Sequence, residues 1–156
     1  MLFPLIIRQE SIEEYRKKFH DGRIVLAGGC FDILHFGHVQ FLKQARLLGD
    51  TLMILLESDD HIRLKKKREP VHSQQERAEI VASLRFVDII VLLDGILQDI
   101  NYEEIVHTIR PSVIAITDKD EHIVQKKKQA EQIGAELCVT GNIITKFSSR
   151  DIITRL

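Results

Sequence analysis

The chain has 156 residues, with 22 basic and 23 acidic side chains and a formal net charge of −1. This length suits one domain with a sizeable core, and the near-neutral charge gives no general attraction to nucleic acid. No run of about 18 or more apolar residues occurs in the sequence, so we expect no membrane span. The composition therefore favours a domain whose partner is a small molecule.

The two cysteines, Cys30 and Cys138, lie far apart and form no disulfide framework, as expected for a cytoplasmic protein. The first seven residues are apolar but lack the basic start, long apolar core and cleavage site of a signal peptide. We expect them to form an added strand or a subunit contact. Residues 1–22 are thus predicted as an N-terminal extension, with a short helix near residues 11–20, of a single domain spanning 1–156.

The rest of the sequence alternates strand-like and helix-like segments. Predicted strands cover residues 23–27, 51–56, 87–93, 112–117 and 135–140. Predicted helices cover residues 37–48, 73–84, 102–109 and 119–133, and Ser148 or Ser149 caps a final helix. This pattern predicts an α/β fold: one Rossmann-like, doubly wound domain with a five-stranded parallel sheet and helices on both faces. Ligands in such folds bind beyond the carboxyl ends of the strands, where the strand order reverses.

Residues 28–38 form the most informative segment, because they join a predicted strand to a predicted helix. Gly28 and Gly29 allow a sharp turn, and the helix that starts near His38 presents N–H groups that favour an anion. His35 and His38 lie on one side of a single turn, where both can donate hydrogen bonds to phosphate. The segment predicts phosphoryl or nucleotidyl transfer. Ordinary capping histidines are the alternative, and a zinc site is disfavoured because no further ligand is suitably spaced, so we predict no protein metal site.

The string Gly29-Cys30-Phe31-Asp32, followed by His35-Phe36-Gly37-His38, resembles the G-x-F-D-x-x-H-x-G-H signature of the cytidylyltransferase-like nucleotidyltransferases. The resemblance implies transfer of a nucleoside monophosphate from an NTP, either ATP or CTP, to a small phosphorylated acceptor, with release of pyrophosphate. It also implies Mg²⁺ that arrives mainly with the nucleotide, and a homodimer. Within the motif the implied roles are catalysis by His35 and His38, nucleotide binding by Gly29, Cys30, Phe31, Gly37 and His38, and acceptor binding by Asp32.

A run of five cations in six residues spans Arg63 to Arg68. Such a run alone usually forms a solvated face, but beside a triphosphate its lysines can neutralise charge on the leaving pyrophosphate. By resemblance to the basic loop of the family, Lys65 is predicted to be catalytic and Lys67 to bind the nucleotide. A nucleic-acid patch stays an alternative, although no aromatic side chains interleave the run.

The same resemblance supplies the remaining candidates. It implies a catalytic Arg77, acceptor binding by Asp59 and Arg85, and nucleotide binding by Asp118, Ser148 and Ser149. An Arg fork suits phosphate because it donates two hydrogen bonds at once. The alternatives are a helix salt bridge for each arginine, a solvated strand end for Asp59 and a plain helix cap for one serine.

Two segments depart from the family pattern and leave the nucleotide base open. Lys146 stands where a glycine is usual, and residues 117–120 replace a glycine-rich segment. Over roughly the first 95 residues the chain resembles the adenylyltransferase domain of ADP-heptose synthases, whereas His72-Ser73 and residues 85–88 resemble glycerol-3-phosphate cytidylyltransferase. We therefore favour a heptose-1-phosphate-type adenylyltransferase. The alternatives are a glycerol-3-phosphate-type cytidylyltransferase, an FMN adenylyltransferase and a non-catalytic nucleotide-binding protein.

Overall fold

The computed structural model describes residues 4–18, 22–140 and 152–154. Within these residues six strands form one sheet: β1 Leu5–Arg8, β2 Ile24–Gly29, β3 Thr51–Leu56, β4 Ile89–Leu92, β5 Val113–Ile116 and β6 Glu136–Val139. The strand order is β1-β4-β3-β2-β5-β6, and every neighbouring pair is parallel. The predicted α/β, doubly wound fold class is confirmed.

The helices alternate with these strands along the chain. They are α1 Ile12–Arg16, α2 Phe36–Arg46, α3 Asp59–His61, α4 Gln74–Ala82, α5 Asp99–Ile109 and α6 Ile123–Ile133, and a π-helical turn over Ile62–Lys66 continues α3. Ser73 and Glu76 exchange hydrogen bonds at the start of α4 in a capping box, as their spacing predicts. The final helix predicted from Ser148 or Ser149 lies outside the described residues.

The sixth strand comes from the apolar start of the chain, which sequence analysis left open between an added strand and a subunit contact. β1 pairs with β4, with Leu5 opposite Ile89. Ile7 of β1 and Ile12 of α1 are both buried in the same core. The segment is therefore an added edge strand of the domain.

Two apolar layers cover the sheet because successive side chains of a strand point to opposite faces. Val25 and Ala27 of β2 pack in the layer that holds α2 and α4. Ile24 and Leu26 of the same strand pack in the layer that holds α1, α5 and α6. This two-sided burial explains why the strands read as continuous apolar runs.

The strand order reverses beside β2. The chain proceeds from β2 through β3 to β4 in one direction, then returns to β5 on the other side of β2 and continues to β6. The carboxyl ends of β2 and β5 thus form the crevice in which doubly wound folds bind ligands. No helix in the described parts of the chain is long and apolar enough to cross a membrane.

Candidate active site

The turn that follows β2 is built around Phe31, which has a φ of 46°. This left-handed conformation is rare for an aromatic residue and marks local strain at a functional turn. A Cβ on Gly29 would come within 3.0 Å of the Phe31 ring, so glycine leaves room for that ring. The buried Phe31 ring meets the His38 ring edge-on, with the centroids 5.0 Å apart. Its side chain therefore supports His38, and only the backbone of Phe31 is left for the predicted nucleotide contact.

The two motif histidines stack at the start of α2. Their ring centroids are 3.7 Å apart and their planes differ by 23°. The Nδ1 atoms of His35 and His38 are buried and have no hydrogen-bond partner in the described part of the chain. A Cβ on Gly37 would lie 3.1 Å from the ring of His35, so glycine at this position keeps space for the stack.

Burial keeps both histidines neutral at neutral pH. Burial, with a smaller effect of the neighbouring His35, lowers the pKa of His38 to about 3, and burial also lowers the pKa of His35. An anion bound here would act in the opposite direction, since a nearby negative charge favours imidazolium. The first N–H groups of α2 add to this attraction. The pair thus lies where the helix start favours an anion, and its two Nδ1 atoms have unused hydrogen-bonding capacity.

Asp32 is tied to the chain segment that precedes α4. Its buried carboxylate accepts hydrogen bonds from the Arg68 guanidinium and from the Val71 and His72 N–H groups, at 2.9 and 3.1 Å for the two N–H groups. Burial by itself would raise the pKa of Asp32, but these hydrogen bonds outweigh it and the pKa is lowered. The structure therefore places Asp32 as an anchor of this segment and not as the predicted acceptor ligand.

Arg77 is fully buried, contrary to its predicted contact with phosphate. Its guanidinium donates to the Cys30 carbonyl at 2.6 Å, the His72 carbonyl at 3.1 Å and Asp59 Oδ1 at 2.7 Å. A helix salt bridge was the alternative interpretation of this residue, and the observed ion pair joins α4 to Asp59 of α3. Asp59 thus contributes to the frame of the site, but its side chain is 28% exposed and its acceptor role stays a prediction.

The basic turn after α3 exposes its lysines, including one that sequence analysis did not single out. Lys65 and Lys67 are exposed, and Lys67 adopts a left-handed φ of 54°. Lys66, which sequence analysis did not single out, is exposed as well, and its charge acts on Cys30, Glu57 and His61. All three lysines of the turn therefore reach solvent.

Sequence analysis also missed a buried polar cluster beside the motif. Glu57 follows β3, and its N–H donates to the Gly29 carbonyl at 3.1 Å. The Tyr102 hydroxyl donates to Glu57 Oε1 at 2.8 Å, while His61 Nδ1 lies 3.2 Å from Oε2. Burial raises the pKa of Glu57 and of Tyr102, and burial together with Glu57 raises the pKa of Cys30 to about 11. The sequence signal that could have identified Glu57 is a single acidic residue directly after an apolar strand.

The remaining predicted residues lie at opposite edges of the sheet or outside the described part of the chain. Asp118 follows β5 at the carboxyl edge and lies near the reversal point, as a nucleotide-binding role requires. Arg85 follows α4 and precedes β4, so it lies at the amino edge of the sheet, opposite the motif. Its predicted acceptor contact is therefore not retained. Ser148 and Ser149 lie outside the described residues, and among the described ones no group of three or more ligands could hold a metal ion.

These features define a doubly wound domain whose glycine and histidine motif lies at the point where the strand order reverses. The sequence profile of the cytidylyltransferase-like family matches residues 26–154, and the chain belongs to that family. The resemblance that the glycine and histidine motif indicated is confirmed.

Two curated relatives are similar to this chain over about two thirds of its length. The chain is 45% identical over 105 residues to an FAD synthase of Thermococcus kodakarensis, covering 67% of this chain and 66% of that protein. It is 40% identical over 112 residues to the bifunctional protein HldE of Wolinella succinogenes, covering 70% of this chain but only 23% of that protein. The chain thus spans just under two thirds of the first relative and under a quarter of the second.

A solved structure supports the fold. The lipopolysaccharide core biosynthesis protein of Thermoplasma volcanium matches with a TM-score of 0.65 and 23% identity, covering 78% of this chain and 98% of that one. At this identity the likeness concerns the architecture alone.

Proposed function

We propose that this chain catalyses adenylyl transfer from Mg-ATP to a phosphate-bearing acceptor, with release of pyrophosphate. The observation that supports it most is the stacked pair His35 and His38 at the start of α2, with both Nδ1 atoms unpartnered in the described chain. These groups lie where the strand order reverses, so an anion at the start of α2 would meet them together.

The mechanism is an in-line displacement. An acceptor phosphate oxygen attacks the α-phosphorus of ATP, the new P–O bond forms, and the bond to the bridging oxygen of pyrophosphate breaks. His35 and His38 stabilise charge on the crowded phosphorus and the bridging oxygen, while exposed lysines of the basic turn neutralise the leaving pyrophosphate. The attacking phosphate is already anionic, so no general base is needed, and the raised pKa of Cys30 argues against a thiolate nucleophile.

FMN is the acceptor we place first. The FAD synthase of Thermococcus kodakarensis is similar over two thirds of both chains. The exposed apolar side chains also favour a flat aromatic acceptor: of nine large ones in the described residues, eight follow or end a strand at the carboxyl edge, and only Leu47 lies at the amino edge. The eight are Phe36, Leu64, Val71, Ile96, Ile100, Ile123, Val124 and Val139. Flavin rings can bury such apolar surface.

A sugar 1-phosphate is the second candidate acceptor. The likeness to HldE covers 70% of this chain. The polar cluster of Glu57, His61 and Tyr102 beside the motif offers partners for hydroxyl groups rather than for an apolar ring. The two candidates therefore differ in whether the apolar or the polar groups of the carboxyl edge would contact the acceptor.

Pyrophosphate release tests the proposal. Purified protein is offered ATP or CTP, each with FMN, heptose 1-phosphate or glycerol 3-phosphate, and the nucleotide product is separated by chromatography. We expect release with ATP and FMN, and formation of FAD. Release with a sugar phosphate or with CTP would redirect the assignment to that pair. Nucleotide binding with no release under any pairing would favour the non-catalytic alternative.

A further inference from the structure

The basic segment between β3 and α4 is fastened to the motif at its first end by Arg77. We define residues 59–69 as the basic arch. Arg77 holds Asp59, the first residue of the arch, at 2.7 Å, and it holds the carbonyl of Cys30 in the motif at 2.6 Å. Arg77 has no exposed surface and the Asp59 side chain is 28% exposed, so the attachment is sheltered from solvent on the Arg77 side.

Arg68 fastens the other end of the arch to the same motif. Its guanidinium donates to Asp32, whose side chain is 1% exposed against 29% for Arg68. It also donates to the carbonyl of Glu69 at 3.0 Å, which sets the direction of the chain where the arch ends. Asp32 is further held by the N–H groups of Val71 and His72, so it cannot move away without breaking backbone contacts.

Arg63 closes the base of the arch. It binds Asp60 near the beginning and Glu69 at the end, each at 2.9 Å. These groups are well exposed, so salt and solvent weaken the contact, and the attachments at Asp59 and Asp32, each of which has one buried partner, dominate. What remains free between them is the crest, residues 64–67, with three lysines and the left-handed Lys67.

We propose that Arg68 is a positioning residue, whose ion pair with Asp32 holds the basic arch against the glycine and histidine motif so that the crest lysines meet the polyphosphate of the nucleotide. The inference rests on the proposed function for its ligand. It assigns Asp32 to the nucleotide side of the reaction, through the arch, in place of the direct acceptor contact that the sequence suggested.

The physical reason for the proposed role of Arg68 is the conformational entropy that the crest loses when it binds polyphosphate. A loop that is held at both ends needs little further ordering when the polyphosphate arrives, whereas a loop that is free at one end loses conformational freedom on binding. Loss of the Arg68 attachment is expected to raise the KM for ATP about tenfold, because ordering a few side chains costs about 1.4 kcal/mol or more. The KM for the acceptor stays within about twofold, since the motif itself remains.

The test compares Arg68→Gln with Arg46→Gln. Arg46 is a matched control because its side chain is 34% exposed and pairs with Asp88 at 3.2 Å, but it lies at the amino edge of the sheet. Limited trypsin digestion reports the arch directly, since Lys65, Lys66 and Lys67 remain as cleavage sites in both variants. We expect crest cleavage to be at least about fivefold faster in Arg68→Gln and unchanged in Arg46→Gln.

A second pair of measurements separates positioning from simple loss of stability. Arg68→Lys keeps the charge and is expected to recover part of the ATP KM, and Asp32→Asn is expected to raise the same KM as Arg68→Gln with little added effect in the double variant. Circular dichroism identifies any variant that does not fold; if Arg68→Gln is one, the comparison of Asp32→Asn with Arg46→Gln decides.

Three outcomes would overturn the inference. One is crest cleavage at the wild-type rate in a folded Arg68→Gln variant, or in a folded Asp32→Asn variant where Arg68→Gln does not fold. Another is an Asp32→Asn variant whose acceptor KM rises while its ATP KM stays constant. The third is equal effects of Arg68→Gln and Arg46→Gln. The digestion, and its slowing by Mg-ATP, needs no turnover, so failure of the proposed reaction would be distinguishable from failure of the arch.

Discussion

The carboxyl edge and the amino edge of the sheet each contain an arginine–aspartate ion pair, but the two pairs differ in burial. At the carboxyl edge Arg77 and Asp59 form an ion pair in which the arginine has no exposed surface and the aspartate side chain is 28% exposed. At the amino edge Arg46 and Asp88 form a pair in which both side chains are more than one third exposed. The pair with the buried arginine frames a site that contains unpartnered histidine nitrogens, whereas the exposed pair joins the end of α2 to the residue that precedes β4.

Unpaired polar atoms show the same contrast. In the described residues, the buried side-chain polar atoms without a hydrogen-bond partner all belong to residues that follow the carboxyl ends of strands: His35, His38, Glu57, His61 and Thr140. Left-handed backbone does not separate the edges, since Phe31 and Lys67 lie at the carboxyl edge and Arg110 caps α5 at the amino edge. Buried polar atoms without a partner are unusual in folded proteins, so their concentration favours the carboxyl edge as the side that binds a ligand.

The largest expected effect concerns the two arginines. Arg77→Met removes three hydrogen bonds and leaves the Cys30 and His72 carbonyls without their donor, so the free energy of unfolding should fall by about 3–5 kcal/mol. Arg46→Met, at the amino edge, should cost about 1 kcal/mol or less. Urea unfolding measures both, and equal losses would remove the contrast between the edges.

The next effect tests chemistry against packing. His38→Ala should lower kcat at least about 100-fold, as expected when one transition-state donor is lost, with the free energy of unfolding changed by about 1 kcal/mol. His107→Ala is the matched control, since His107 lies exposed near the end of α5. Steady-state pyrophosphate release gives kcat. An unchanged rate in His38→Ala would exclude the histidine pair from the mechanism.

Two glycines, one at each edge, should respond in opposite ways. A Cβ on Gly49 would lie 2.4 Å from the Arg23 carbonyl oxygen, so Gly49→Ala should destabilise by about 1–3 kcal/mol and leave the kcat of folded protein unchanged. A Cβ on Gly37 would lie 3.1 Å from the His35 ring, so Gly37→Ala should displace that ring. We expect kcat about tenfold lower with little loss of stability, since alanine favours the helix.

Thermal unfolding and kcat measured on both glycine variants check this pair. A Gly37→Ala variant with lowered stability and normal kcat would mean that Gly37 serves packing like Gly49, and the two edges would then not differ in this respect.

The last expected effect is a pH dependence that belongs to the carboxyl edge. Burial lowers the pKa of His38 from 6.5 to about 3, so between these values the unfolded chain binds more protons than the folded one. The free energy of unfolding should therefore fall as the pH falls from about 6.5 toward about 3, and the lowered pKa of Asp32 adds to the loss below about 3.8. Urea unfolding at several pH values measures the slope, and His38→Gln should have a shallower slope between pH 6.5 and 3.

Local features were predictable from sequence because short-range spacing determines them. The Ser73 and Glu76 capping box, the helix that follows Gly37 and the positions of five strands all depend on residues a few places apart. The role of Arg77 was not predictable, because its partners Cys30 and Asp59 lie 47 and 18 residues away along the chain.

Arg85 shows a second kind of limit. Arg77 and Arg85 are eight residues apart, but α4 rises about 1.5 Å per residue and takes the chain from the carboxyl edge to the amino edge. Two arginines that look equivalent in a motif therefore lie at opposite ends of the sheet. Residues that are close in sequence thus lie far apart in space when a helix separates them.

By itself the sequence determined the alternation of strands and helices, the glycine and histidine motif, and hence the family. The tertiary structure alone decided that Arg77 is buried and that Asp32 and Arg68 form a pair. The reason is physical: turns and caps depend on the backbone of a few adjacent residues, whereas the burial, charge state and partner of a side chain depend on distant segments that meet only in the folded chain.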